Sequence, residues 1–171
     1  MQNNMSMKDA VIAFWTKGFQ FSGRARRSEY WLNVVAIILI GLLFWGIFSL
    51  VDVFTGQKFH LQEYYHFFST EIIPYITAIP GMAQASRRLQ DININGIFAI
   101  VIIAFDTIIS FISTHVFPIF PIDFTNMGGM TSLVVLSLIT VIPWLFLFIC
   151  NFIRGNHGPN QYGEDPKQVI S

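Results

Sequence analysis

Arginines and carboxylates carry most of the chemistry this sequence offers. Arg24, Arg26 and Arg27 stand together in FSGRARRSEYW, with Glu29 close behind. Arg87, Arg88 and Asp91 stand in RRLQDINING, and Asp165 lies near the end of GPNQYGEDP, where Asn160 and Tyr162 add neutral hydrogen-bonding groups. A guanidinium is a planar fork of donors that matches either a carboxylate or a phosphate. Two chemistries follow. The charges either pair with one another and lock chain segments together, or they capture a phosphate-bearing partner, most simply an anionic lipid headgroup at a membrane surface. Structural ion-pair networks mimic functional sites, so mutual pairing is the preferred reading. The candidate polar cluster comprises Arg24, Arg27, Glu29, Arg87, Arg88, Asp91, Asn160, Tyr162 and Asp165.

A second candidate is Asp106, near the middle of an otherwise uncharged apolar segment, with Ser110 one turn on. A charged carboxylate at the bilayer centre costs about 2.5–3.5 kcal/mol on insertion scales. Ser110, Ser113 and Thr114 follow at helical spacing, so this polar face is expected to turn into a bundle. No basic residue lies at its depth, and Asp106 is expected to be protonated or bonded to a hydroxyl such as that of Thr77. It would serve either an ion or proton path or a polar contact gluing helices. His60, Glu63 and His66 do not share a helical face, since six residues turn about 600°, and no metal site is expected from them. The single Cys150 excludes an internal disulfide and reads as a small hydrophobe. Phosphate-binding glycine loops, nucleophile elbows and paired catalytic carboxylates are absent. The expectation is no enzyme, no cofactor and no metal.

The elements that must position these residues are apolar. The chain of 171 residues is 53% hydrophobic and only 12% charged, about half the charge of a soluble domain. Four spans are expected, at about 30–51, 67–86, 96–117 and 131–152. A run of 22 residues such as 30–51 rises about 33 Å as a helix, enough for about 30 Å of hydrocarbon. The second span contains Glu71, Pro74 and Pro80 and is expected to be kinked and to face its neighbours. Ser28 is expected to cap the first span, and Pro118 and Pro121 to end the third before a polar turn at 123–130. Residues 1–20 read as an amphipathic interfacial helix. Ser6 with Asp9 makes a capping box, and Val11, Phe14, Trp15, Gly18 and Phe19 share one apolar face. The four-helix domain covers 21–153, and 154–171 form a tail.

With four spans, Lys8, Lys17, Arg24, Arg26, Arg27, Arg87, Arg88, Arg154 and Lys167 lie on one side and Lys58 alone on the other. Basic residues stay cytoplasmic, so both termini and the RRLQDINING loop are expected inside. Net charge is zero, and no nucleic-acid partner is expected.

The three polar stretches, in this order, resemble the domain of unknown function 805 family of small bacterial inner-membrane proteins, over about 14–166. Gly23, Arg24, Arg27, Glu29, Tyr30 and Trp31 match the family's first motif. Arg87, Arg88, Leu89 and Asp91 match the second, and Gly158, Asn160, Tyr162, Gly163, Asp165 and Pro166 the third. Gln90 and Ile97 depart from it, standing where the family usually has His and Trp; without that His, acid–base chemistry in the loop loses its candidate. The resemblance implies an all-α membrane protein with four transmembrane helices in the bacterial plasma membrane, and implies no activity. The expected function is non-catalytic, through association with the bilayer and with an unknown membrane protein partner or a second copy as a homo-oligomer. The alternative is a small transporter or channel-like subunit using Asp106.

Overall fold

A computed structural model describes residues 5–116 and 127–167, and among these it is helical with no strand. Helix α1 spans Met7–Thr16. Ser6 starts it: its hydroxyl accepts from Asp9 N at 3.1 Å, and its own N–H reaches Asp9 Oδ2 at 3.3 Å, the expected capping box. The Ser6 hydroxyl also donates to Asp9 Oδ2 at 2.7 Å, and that bond, with the one from Ser6 N, holds the Asp9 carboxyl below its ordinary pKa. The apolar residues of α1 divide between two faces. Ala10, Ala13 and Phe14 are buried with Gly18, whereas Ile12, Trp15 and Phe19 are exposed. Small residues explain the inner face, because they let α1 approach its neighbours closely. A Cβ on Gly18 would sit 3.2 Å from Pro80 Cγ.

Helix α2 spans Arg27–Phe54, longer than expected at both ends. Ser28 is not its cap; Arg26 is, with no side-chain capping bond. The helix start is set from outside, because Ala25 N–H donates to Arg87 O at 3.1 Å and holds the chain extended. At the far end Asp52 lies inside the last turn of α2, buried, and accepts from Leu61 N and Gln62 N at 3.0 and 2.8 Å. It thereby caps the next helix, α3 (Leu61–Phe67). Asp52→Ala is expected to lose about 1–2 kcal/mol, the range of a lost N-cap. Thermal unfolding in detergent and amide exchange over 55–67 would read the loss.

Helix α3 continues through a π-helical turn, Phe68–Ile72, into α4, Ile73–Asp91. Pro74 accounts for the turn: it has no N–H for the Thr70 carbonyl, and its ring crowds that carbonyl. The expected second span, 67–86, is therefore not one regular helix. Helix α5 spans Ile97–His115 and antiparallels α4, and α6 spans Met127–Phe152. The expected Pro118 and Pro121 stop and residues 123–126 of the expected polar turn lie outside the described residues, whereas 127–130 are helical and belong to α6 rather than to a turn.

Helix α4 is central and touches α1, α2, α5 and α6. It carries the small core of Ala85 and Leu89 against Ala99, Leu147 and Cys150. Elsewhere the apolar side chains of α2, α5 and α6 point outward, as suits a lipid surround. Among the described residues three helices, α2, α5 and α6, are long and apolar enough to cross a membrane. Helix α4 is not among them because its last turns carry Gln84, Ser86, Arg87, Arg88, Gln90 and Asp91, every one buried.

Candidate functional site

The end of α4 gathers the other polar stretches around it. Asp91, the last residue of the helix, is 1% exposed. Its Oδ1 accepts from Arg24 Nε at 2.9 Å and its Oδ2 from Arg88 Nη1 at 3.0 Å, while its carbonyl accepts from Asn156 N at 2.9 Å. Arg24 goes on to donate to the carbonyls of Gly158 and Asn156, at 2.6 and 2.5 Å. Arg88 also donates to Ile153 O. Arg87 turns the opposite way, to Lys17 O and Gln20 O, both at 2.6 Å, with its Nη2 3.6 Å from Glu29 Oε1. One turn earlier Ser86 Oγ and Gln90 Nε2 both donate to Phe21 O. Gln90 thus serves as a hydrogen-bond donor between segments.

The charges nearly balance. Arg24, Arg87 and Arg88 oppose Glu29 and Asp91, all with side chains at most 6% exposed, so one positive charge is left over. Helix C-termini meet it. Arg87 sits on Lys17 O at the C-cap of α1 and on Gln20 O in the turn beyond it, and Arg88 and Arg27 on Ile153 O and Phe152 O at the end of α6. The partial negative charge of each helix end favours a cation there. Glu29 Oε1, Arg87 Nε and Nη2, Arg88 Nε and Gln90 Oε1 have no hydrogen-bond partner among the described residues.

The tail is tied to the same place. Asn160 Nδ2 donates to Gln90 O at 2.9 Å. Asp165 accepts from Gly158 N and Lys167 N at 3.2 and 2.9 Å. Burial alone would raise its pKa, but these bonds and the charges of Arg24 and Lys167 hold it below the ordinary value. Tyr162 joins only through its backbone N–H, to Asn160 Oδ1 at 2.9 Å. Arg27 is exposed and reaches Phe152 O at 3.4 Å.

The other candidates lie apart. Asp106 is half-buried and borders a cleft of about 210 Å³ between α5 and α6, with Thr140, Pro143 and Trp144 opposite. Thr77 does not reach it; that hydroxyl donates to Ile73 O in its own helix. Ser110, Ser113 and Thr114 are exposed rather than turned inward, because α5 packs through Ala99, Ile102 and Ile103 instead. His60 Nδ1 meets Glu63 at 3.4 Å, and no cluster suited to a metal occurs among the described residues. At the end of the α4–α5 pair away from Asp91, His115 Nε2 meets Glu71 at 3.3 Å.

Sequence reasoning missed Asn33, Gln84 and the glycines. Asn33 Nδ2 donates to Gln84 Oε1 at 3.1 Å, joining α2 to α4. An amide inside an apolar run is the available signal, since lipid cannot satisfy it. Gly96 and Gly155 lie against Ser86 and Asp91 respectively. Nothing local marks them, because those contacts are made by distant residues.

A family model described as "Protein of unknown function (DUF805)" matches residues 18–164. "Inner membrane protein YhaI" of Escherichia coli (strain K12) is 25% identical over 147 residues, 86% of this chain and 86% of that protein. "Inner membrane protein YhaH" of the same strain is 26% identical over 147 residues, 86% of this chain and 87% of that protein. No solved structure matches the chain.

Proposed function

Because this chain belongs to the DUF805 family, whose relatives above are inner membrane proteins, we propose a four-crossing inner-membrane protein whose polar cluster is a structural clasp. It acts without catalysis, by association in the membrane with a partner protein or a second copy. The observation that carries this reading is the convergence on Asp91. The start of α2, the end of α4 and the segment after α6 are hydrogen-bonded to one another there. If α2 crosses outward from that face, the run through α3 and α4 must return to it, and α5 and α6 repeat the excursion. The basic residues then lie on one side with Lys58 alone opposite, which favours a cytoplasmic clasp. Burial supports clasp over headgroup site: Arg87 and Arg88 are at most 1% exposed and offer a lipid phosphate no open face. The outward Ile12 and Trp15 of α1, with Phe19 just beyond it, suit the interfacial level.

Reporter fusions test the topology. A cytoplasmic fluorescent reporter should light after residues 93 and 167, and an external phosphatase should be active after residue 58. A periplasmic loop at 93 or a periplasmic C-terminus would overturn the four-crossing reading. The cleft beside Asp106 favours a second reading, a small transport subunit. In that case Asp106→Asn should abolish the associated phenotype at unchanged protein abundance, and an unaffected phenotype ends it.

A further inference from the structure

Beside the clasp lies a cavity that its pairing leaves open. It measures about 350 Å³ and lies between α1 and the first turn of α2, with Pro166 of the tail on its rim. Both signs of charge line it: Lys17, Arg24 and Arg26 against Asp9 and Glu29. Arg24 is occupied by Asp91 and the tail carbonyls, and Arg26 donates to Pro166 O. Two groups remain. The Lys17 ammonium has no hydrogen bond or ion pair among the described residues. The Glu29 side chain is 6% exposed and its carboxylate accepts no hydrogen bond among the described residues; Oε1 is occluded beside Arg87 Nη2 at 3.6 Å, which leaves Oε2 for the cavity. A buried carboxylate short of donors is costly, and a ligand N–H would lower that cost.

We propose that this cavity binds the zwitterionic headgroup of a phosphatidylethanolamine-type lipid, its phosphate toward Lys17 and its primary ammonium toward Glu29. Three observations select this class. First, the cavity is lined by Asp9 of α1 and Lys17 at its C-cap, on a helix that also exposes Ile12 and Trp15, with Phe19 exposed just beyond it. Headgroups occupy the level of such a helix and acyl chains continue along its apolar side. Second, with Arg24 committed to Asp91, the lining sets Lys17 and Arg26 against Asp9 and Glu29, a balance that a zwitterion keeps and a purely anionic headgroup does not. Third, the Glu29 carboxylate lacks a hydrogen-bond donor, which a primary ammonium supplies and a trimethylammonium cannot. The site rests on the reading that α1 lies at the membrane surface, but not on which way the protein faces.

Native mass spectrometry of the full chain in detergent tests this, with phosphatidylethanolamine, phosphatidylcholine and phosphatidylglycerol of identical acyl chains supplied in turn. Phosphatidylethanolamine should be retained about tenfold more strongly than phosphatidylcholine, the ratio of one charge-assisted hydrogen bond, and phosphatidylglycerol should not exceed it. Lys17→Ala, at an exposed and unpaired side chain, should lower phosphatidylethanolamine and phosphatidylcholine retention alike. Glu29→Gln should bring those two lipids level. Equal retention of the two by the unaltered chain overturns the site, as does stronger retention of phosphatidylglycerol or full retention by Lys17→Ala. These comparisons decide the matter even if Glu29→Gln fails to fold. A reversed topology in the reporter fusions would sink the cytoplasmic placement of the clasp and leave the lipid preference standing.

Discussion

Asp91→Ala should cost the folded protein about 3–5 kcal/mol, the range for removing one partner of a buried ion pair. The upper half is expected here, because this carboxylate serves two guanidiniums at once, Arg24 at 2.9 Å and Arg88 at 3.0 Å. Without it, three buried arginines face Glu29 alone, and the helix C-termini at α1 and α6 cannot absorb the second unit of charge that results. Asp91→Asn should fare little better, since its amide keeps one acceptor and turns a donor toward a guanidinium. The expected readout is loss of a cooperative thermal transition in detergent, with early proteolysis of the tail that Arg24 holds. A cycle with Arg24→Met separates the pair from the rest. Residues sharing a buried pair couple by about 0.5–3 kcal/mol, so the double variant should lose clearly less than the sum of the singles. A loss under about 1 kcal/mol for Asp91→Ala, below the buried-pair range, would sink the clasp.

Gly155→Ala is the second large effect, and it acts from the opposite side of the same carboxylate. A Cβ there would lie 2.5 Å from Asp91 Cγ and closer still to Oδ2. The backbone cannot retreat freely, because the next residue, Asn156, donates its N–H to Asp91 O at 2.9 Å. Overpacking costs about 1–3 kcal/mol, and pushing Asp91 off either arginine adds to it, so about 3 kcal/mol or more is expected. Gly46→Ala, in α2 with open space around it, is the control and should leave stability unchanged or slightly raised by helix propensity. The diagnostic result is the double variant. In Asp91→Ala the space that the Gly155 methyl needs is already empty, so adding Gly155→Ala should cost little more. Full additivity would show that the methyl does its damage elsewhere.

The helices at 30–51, 96–117 and 131–152 were legible because run length and apolar content are local properties. The segment 67–86 was less so: its prolines signalled irregularity, but a π-helical turn depends on which carbonyl loses its partner. Helix starts set by distant contacts, such as Arg26 in place of Ser28, were invisible for the same reason. In the candidate site, the residue types and their order could be read from the three polar stretches. Their burial could not, nor could the part played by Gln84, Asn33 and the two close-packed glycines, whose neighbours come from other segments.

The sequence by itself determined that this chain is apolar enough for a membrane, where its uninterrupted helices fall, and which three stretches carry the charge. Those follow from composition and spacing along the chain. Only the tertiary structure decided what the arginines do. A guanidinium faces water or lipid phosphate unless other segments bring it acceptors. Here the ends of α1 and α6, the carboxylate of Asp91 and the carbonyls of the tail supply them, from as far as 140 residues away. Distance along the chain is what hid the outcome, since the energy of a buried charge depends on groups that only folding brings within reach.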